Sequence, residues 1–314
     1  MKTLRRVVPA ILVPAWLGLL AGKSPAQETR PLAMDAFEDP TAETLFRSAQ
    51  ASWFSIDESV VRYTAVIRQR IGAALRTPLK DRTLYRSEMA VRAFWDRDYD
   101  AIVQVMAHQA NHPGRARVEE EWGDDPFAWL GDLPFDKPFE PGGDRLFFGM
   151  GDQDEDVYSP DNEDFWFAHP LARGADTLYR YQSGDTLTLS LPDGRRLLTV
   201  QLDVLPRVAD VHRISGTLWI EPEEGALVRA IYRLSQTFDV MRDVPDVREE
   251  EAAGEFRMVP GIFKPWTFEL SMVAVEYSLW NFEVWLPRTM RIEGEAAAGI
   301  MKFPVAMDMA YELE

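Results

Sequence analysis

Apolar and polar residues take turns along residues 177–236, the period-two pattern of strands with one buried face. Leu187, Leu189 and Leu191 alternate with Thr186, Thr188 and Ser190. Leu198, Val200, Leu202 and Val204 alternate with Thr199, Gln201 and Asp203. Pro192-Asp193-Gly194 separates the two runs; proline pre-sets φ and glycine accepts a positive one, so a tight turn is predicted. Glu221-Pro222-Glu223-Glu224-Gly225 plays the same part between residues 217–220 and 227–234. Two antiparallel hairpins are expected.

The alternation recurs on both sides of this stretch. In residues 60–71, Val61, Tyr63, Ala65, Ile67 and Ile71 face one way, against Arg62, Thr64, Arg68 and Arg70. Residues 87–95 and 99–108 form a further hairpin through Asp96-Arg97-Asp98, matching Met89, Val91, Ala93 and Trp95 with Tyr99, Ala101, Val103 and Val105. Trp266, Phe268, Leu270 and Met272 alternate with Thr267, Glu269 and Ser271. Residues 280–285, ending at Leu286-Pro287-Arg288, lead into 290–294. The last strand carries Met301, Phe303, Val305, Met307, Met309 and Tyr311 on one face, with Lys302, Asp308 and Glu312 on the other. Residues 240–261, with the Arg248-Glu249-Glu250-Glu251 run, are polar and read as a connection.

One stretch changes period. Ala42, Leu45, Phe46, Ala49 and Trp53 recur at helical spacing behind Asp39-Pro40, a cap and a first-turn proline, predicting an amphipathic helix of about three turns. The chain is therefore read as mainly β (α+β), with about eleven strands and one N-terminal helix. Consecutive hairpins favour an antiparallel meander.

The N-terminus carries an export signal. Lys2, Arg5 and Arg6 precede the apolar residues 7–21, and Ser24-Pro25-Ala26 supplies small residues for a signal peptidase. Cleavage after Ala26 leaves Gln27 first, and residues 27–38 read as a flexible tail before a single domain over 39–314. The stop at Glu314, directly behind a strand, is expected of a piece of a longer protein. There is no cysteine, so no disulfide, thiol chemistry or acylated N-terminal cysteine is available. Beyond residue 26 the chain holds 30 basic and 51 acidic residues, a balance of −21 that argues against nucleic acid and anionic membranes. Residues 118–164 concentrate this charge, with 16 Asp and Glu against Lys137 and Arg145. Residues 119–164 also hold five prolines beside seven Trp and Phe, and are read as an acidic insertion packed by its own rings.

The Gly216-Thr217-Leu218-Trp219-Ile220-Glu221 strand, its acidic turn and the Leu227-Val228-Arg229 return resemble the LolA-like superfamily, which includes periplasmic lipoprotein carriers and RseB-like sensor domains. Val204-Leu205-Pro206-Arg207 and Trp285-Leu286-Pro287-Arg288 resemble phrases of uncharacterised outer-membrane-associated relatives. The likeness covers residues 41–312 loosely and 177–234 well. It implies a curved sheet wrapped as a half-open barrel, whose concave face binds a lipid, an acyl chain or a lipidated protein. It also implies a periplasmic or outer-membrane-associated protein without cofactor or catalysis.

Candidate ligand contacts are Trp266, Phe268, Leu270, Met272, Met301, Phe303, Met307 and Met309, because thioethers and rings adapt to apolar tails. A second reading makes the domain a structural or interaction head of a larger outer-membrane protein. A third is a metal-dependent hydrolase. His108 and His112 have zinc-helix spacing, but Gln109 stands where the metalloprotease base belongs. Asp152, Asp154, Asp156 and Glu163 have part of a calcium loop, with Val157 where glycine is required. No nucleophile elbow, P-loop or dinucleotide fingerprint is present.

Overall fold

Alternation in the sequence becomes eleven strands in the structure. A computed structural model describes residues 32–111, 138–146, 167–190, 194, 196–281 and 283–314. Helix α1 (Pro40–Ser59) leads into β1 (Arg62–Arg76), β2 (Asp81–Asp96) and β3 (Tyr99–Asn111). Next come β4 (Tyr179–Ser190), β5 (Arg196–Pro206), β6 (Ile214–Ile220), β7 (Leu227–Leu234) and the short β8 (Phe238–Asp239). Helices α2 (Val240–Asp243) and α3 (Pro245–Ala253) precede β9 (Trp266–Trp280), β10 (Val284–Ala298) and β11 (Met301–Leu313).

All eleven strands belong to one antiparallel sheet, ordered β3-β2-β1-β11-β10-β9-β7-β6-β5-β4, with β8 beside β9. The sheet is curved and open, with β3 and β4 at its edges, and the expected fold class is the one found. It is not a single meander. The runs β1–β3 and β4–β11 are joined because β1 pairs with β11, from Ala65↔Leu313 to Arg76↔Lys302. All of this lies in the compact unit Ala33–Glu314.

Register sorts the side chains into two faces. The inner face carries cross-strand rows such as Val204–Gly216–Tyr232–Val273–Ile292–Met307–Ile71. The outer face carries charge, including the pairs Arg70–Glu88 and Arg291–Asp308. Such pairs are solvent-exposed, contribute roughly 0–1 kcal/mol each, and mainly keep that face wet.

Helix α1 lies on the inner face. Asp39 caps it, accepting from the Ala42 N–H at 2.8 Å, and Pro40 opens it. It runs for 20 residues, longer than its apolar repeat predicts. Phe46 is fully buried against Tyr181, with ring centres 4.5 Å apart. Trp53 stacks on His169 at 4.1 Å and meets Tyr277 edge-on. At the next strands Phe139 lies flat on Tyr63 and edge-on to Tyr311. Each fully buried ring contributes roughly 2–3 kcal/mol, and these rings form the core.

Several expectations change. Residues 33–38, read as part of a flexible tail, are pinned: Ala33 N–H donates to Asp176, Arg207 clamps Asp35 at 2.6 and 2.8 Å, and Phe37 bridges to Tyr181. The strand expected at 280–285 contains a turn instead, because Asn281 takes φ 51° and ends β9. Pro287 stays within β10 at a bulge facing Tyr277, where its missing N–H is tolerated. The connection at 240–261 forms α2 and α3. The residues read as an export signal, and most of those read as an acidic insertion, lie outside the described residues.

Candidate functional site

Below the reach of α1, the inner face of β9, β10 and β11 continues as three cross-strand rows. They read Leu270–Gly294–Val305, Phe268–Ala296–Phe303 and Trp266–Ala298–Met301. Each row has a small residue in the middle and larger apolar ones at its ends. Strands lie about 4.8 Å apart, so the walls on β9 and β11 stand roughly 10 Å apart. The arrangement is a trough running along β10, floored by Ala296 and Ala298.

The trough has a closed end and an open one. An added Cβ on Gly294 would sit 3.6 Å from the Phe268 ring and 3.0 Å from the Glu269 carbonyl. Phe268 therefore leans over Gly294 and stops the trough. At the other end Ala296, Ala298, Trp266, Met301 and Phe303 are all half-buried. The mouth lies at the β10–β11 turn, where Ile300 N–H donates to the Ile262 carbonyl at 3.0 Å. Ile262 and Ile300 are exposed there, as is Met258 on the same connection. Phe256 braces Trp266 edge-on, and Lys264 lies 5.8 Å above the Phe256 ring while pairing with Glu251 at 3.3 Å. A tryptophan ring, held upright by a phenylalanine, thus forms one rim of an apolar slot.

The eight predicted contacts separate into three groups. Trp266, Phe268, Met301 and Phe303 line the trough, with Leu270 buried behind its stop. Met307 and Met309 are buried core, their sulfurs accepting from Gln69 at 3.3 Å and from the Tyr311 hydroxyl at 3.8 Å. Met272 leaves the group. A bulge between Glu293 and Gly294 inserts Ser271, so Met272 pairs with Glu293 and turns to the outer face.

Met272 there lines a groove of about 940 Å³ with Arg68, Arg70, Arg229, Glu276 and Arg291. Arg229 rests over its cross-strand partner Trp219, 5.4 Å from the ring centre. These charged groups share the groove with apolar side chains, among them Met89, Met290 and Met309.

Sequence reasoning missed the floor. The strand was ended at Gly294, although small residues continue at period two through Ala296 and Ala298. The exposed Met258 lay in a segment read as a polar connection, and the exposed Ile262 directly behind it.

Elsewhere, His108 lies on β3 with Ser87 Oγ at 3.2 Å from its Nε2, while His112 and the acidic positions 152, 154, 156 and 163 lie outside the described residues. Among the described residues, no three His, Cys, Asp or Glu are grouped to hold a metal ion. His169 is buried; Leu171 N–H donates to its Nδ1, so its proton sits on Nε2, toward the Tyr232 oxygen 3.5 Å away. Burial pushes this imidazole down to about 3, making it a neutral core group.

No protein-family model and no curated protein matches the chain. Among solved structures, it is similar to an outer membrane lipoprotein-sorting protein domain from Vibrio parahaemolyticus. The identity is 12% over 86% of this chain and 93% of that one, at a TM-score of 0.24. It is also similar to a chain of the Pseudomonas aeruginosa MucA/MucB complex, at 10% identity over 87% and 94% and a TM-score of 0.20. A structure of MucB in complex with MucA(peri) follows at 9% identity over 85% and 93%, with the same score. Likeness this slight leaves the function to be argued from the residues themselves.

Proposed function

We propose that this is an exported binding protein of LolA-like type, which holds the hydrocarbon of a lipid, an acyl chain or a lipidated protein on the inner face of its sheet. The observation that carries this reading is the small-residue floor at Ala296 and Ala298 between the walls Trp266–Phe268 and Met301–Phe303. A linear chain fits such a slot; a wide, rigid ligand does not. Apolar binding sites are mostly hydrophobic with few polar groups, which matches the lining of this slot. The signal-like residues 1–26 support an address in the cell envelope. The role proposed is carriage or capture, without chemistry on the ligand.

The test is mass spectrometry of organic extracts from protein purified from a bacterial periplasm, paired with uptake of a fluorescent fatty acid. A stoichiometric acyl species is expected. Ala296→Trp fills the floor at a half-exposed position and should weaken uptake about tenfold or more, the equivalent of 1.4 kcal/mol. A clean extract together with no uptake by the unaltered protein would sink the proposal.

A further inference from the structure

The small residues along the floor of the trough are not equally reachable. Ala298 and Ala296 are half-buried, whereas Gly294, two residues further in, is buried. The barrier between them is the Phe268 ring. It belongs to the second row, yet its tip lies over the third: a Cβ on Gly294 would sit 3.6 and 3.7 Å from two of its ring carbons. Phe238 of β8, itself buried, is the cross-strand neighbour of Phe268 on the side away from the floor. Facing cross-strand positions are close enough for two such rings to pack. Beyond the ring the third row runs Leu270–Gly294–Val305, and the next inner side chains, Val273 and Met307, are 0% and 2% exposed. One row of depth is therefore closed off by Phe268, and no more.

We infer that Phe268 sets the length of hydrocarbon the trough accepts: a single straight acyl chain enters methyl end first and stops at this ring. The inference rests on the reading of the trough as an acyl site. Direction follows from what lines the closed end. Phe268, Leu270, Gly294 and Val305 offer a carboxylate or ester no side-chain donor, so a polar group buried there would lack a partner. A terminal methyl needs none, and the headgroup stays at the mouth. Depth follows from the strand. Ala298 to Gly294 spans four residues of β10, about 13 Å at the rise of a strand. With zigzag bonds of about 1.5 Å, an extended chain fills that depth with about ten carbons. Carbons beyond that number lie outside the slot, beside the exposed Ile262 and Ile300, where less of their surface leaves water.

Straight-chain saturated fatty acids of increasing length, each displacing a fluorescent fatty acid from the full chain, test this. Affinity should rise about fourfold with each methylene while the trough is filling. It should level off at about ten carbons. Phe268→Ala opens the third row, about 7 Å more of strand, and should move the break by about five carbons. Phe268→Leu should move it by fewer, and carries the test if the alanine variant fails to fold. The position of the break is the readout, because trimming a wall also weakens binding at every length. A break that stays in place in the folded variants overturns the inference while leaving acyl binding intact. So does an affinity that climbs without a break in the unaltered protein. Absence of binding at every length overturns the acyl reading of the trough, and this inference with it.

Discussion

Two side chains tie α1 and its surroundings to the sheet, and each makes a measurable prediction. His169 is neutral in the folded protein because burial depresses it to about 3, whereas in the unfolded chain it titrates near 6.5. Between those values the unfolded state holds the extra proton. The contribution of His169 is therefore complete above pH 6.5 and is lost as pH falls toward 3, at about 1.4 kcal/mol per unit. Glu140 acts in the opposite sense, since burial and the nearby Asp57 carboxylate raise it. Urea midpoints should thus be compared with those of His169→Gln, which keeps an acceptor for Leu171. From pH 7 to 5 the unaltered protein should lose more stability than the variant, and equal losses would contradict the assignment. Asp39 is the second case. Burial works to raise its carboxyl, but the Ser183 and Ala42 N–H groups outweigh it and hold it below its ordinary value. One carboxylate caps α1 and fastens it to β4. Asp39→Ala should cost about 1–2 kcal/mol. Asp39→Ser, which keeps a cap but not the reach to Ser183, should fall between in thermal melts.

At the scale of elements, packing decides what local pattern leaves open. Gly225 closes the β6–β7 turn at φ +70°, and a Cβ there would lie 2.4 Å from the Ser48 carbonyl of α1. Gly194 also has positive φ, +85°, with nothing within 4 Å. Gly194→Ala should cost only the left-handed backbone penalty, about 1–2 kcal/mol. Gly225→Ala should cost clearly more, because the helix must also move; similar denaturation midpoints for the two would mean that α1 does not rest on this turn. The sequence announced both turns through proline and glycine chemistry, but not that one of them is the seat of a helix. Met272 teaches the same lesson. Strict alternation places it with Trp266, Phe268 and Leu270, and the inserted Ser271 reverses the parity from there on. A bulge has no period of its own, so the wall of the trough was readable from 266 to 270 and misread beyond. The floor was hidden for a different reason: Ala296 and Ala298 are too small to register as an apolar face.

For the whole molecule, period two tells which way a side chain faces and nothing about which strand lies alongside. Hairpin neighbours such as β4–β5 and β6–β7 follow from short turns and were legible. The ladder between β1 and β11 was not, because Ile71 and Met307 meet across nearly the whole chain. Yet that ladder makes one sheet out of two runs. If it opened, β1–β3 would separate from β4–β11, Gln69 would lose Met307, and Tyr63 and Tyr311 would no longer share Phe139. Opening it therefore amounts to unfolding the core, whereas β3 can fray while every other pair stays in place. Local stability should follow this difference. In native-state hydrogen exchange, amides of Ile67, Ile71, Met307 and Met309 should exchange only through global unfolding, as slowly as Val273 and Val275 at the centre of β9. Amides of residues 101–111, on the edge strand, should exchange faster by orders of magnitude. If β1 and β11 exchanged as fast as β3 in dilute protein, the sheet would be two independently stable halves, and the α1-centred core would not span the joint.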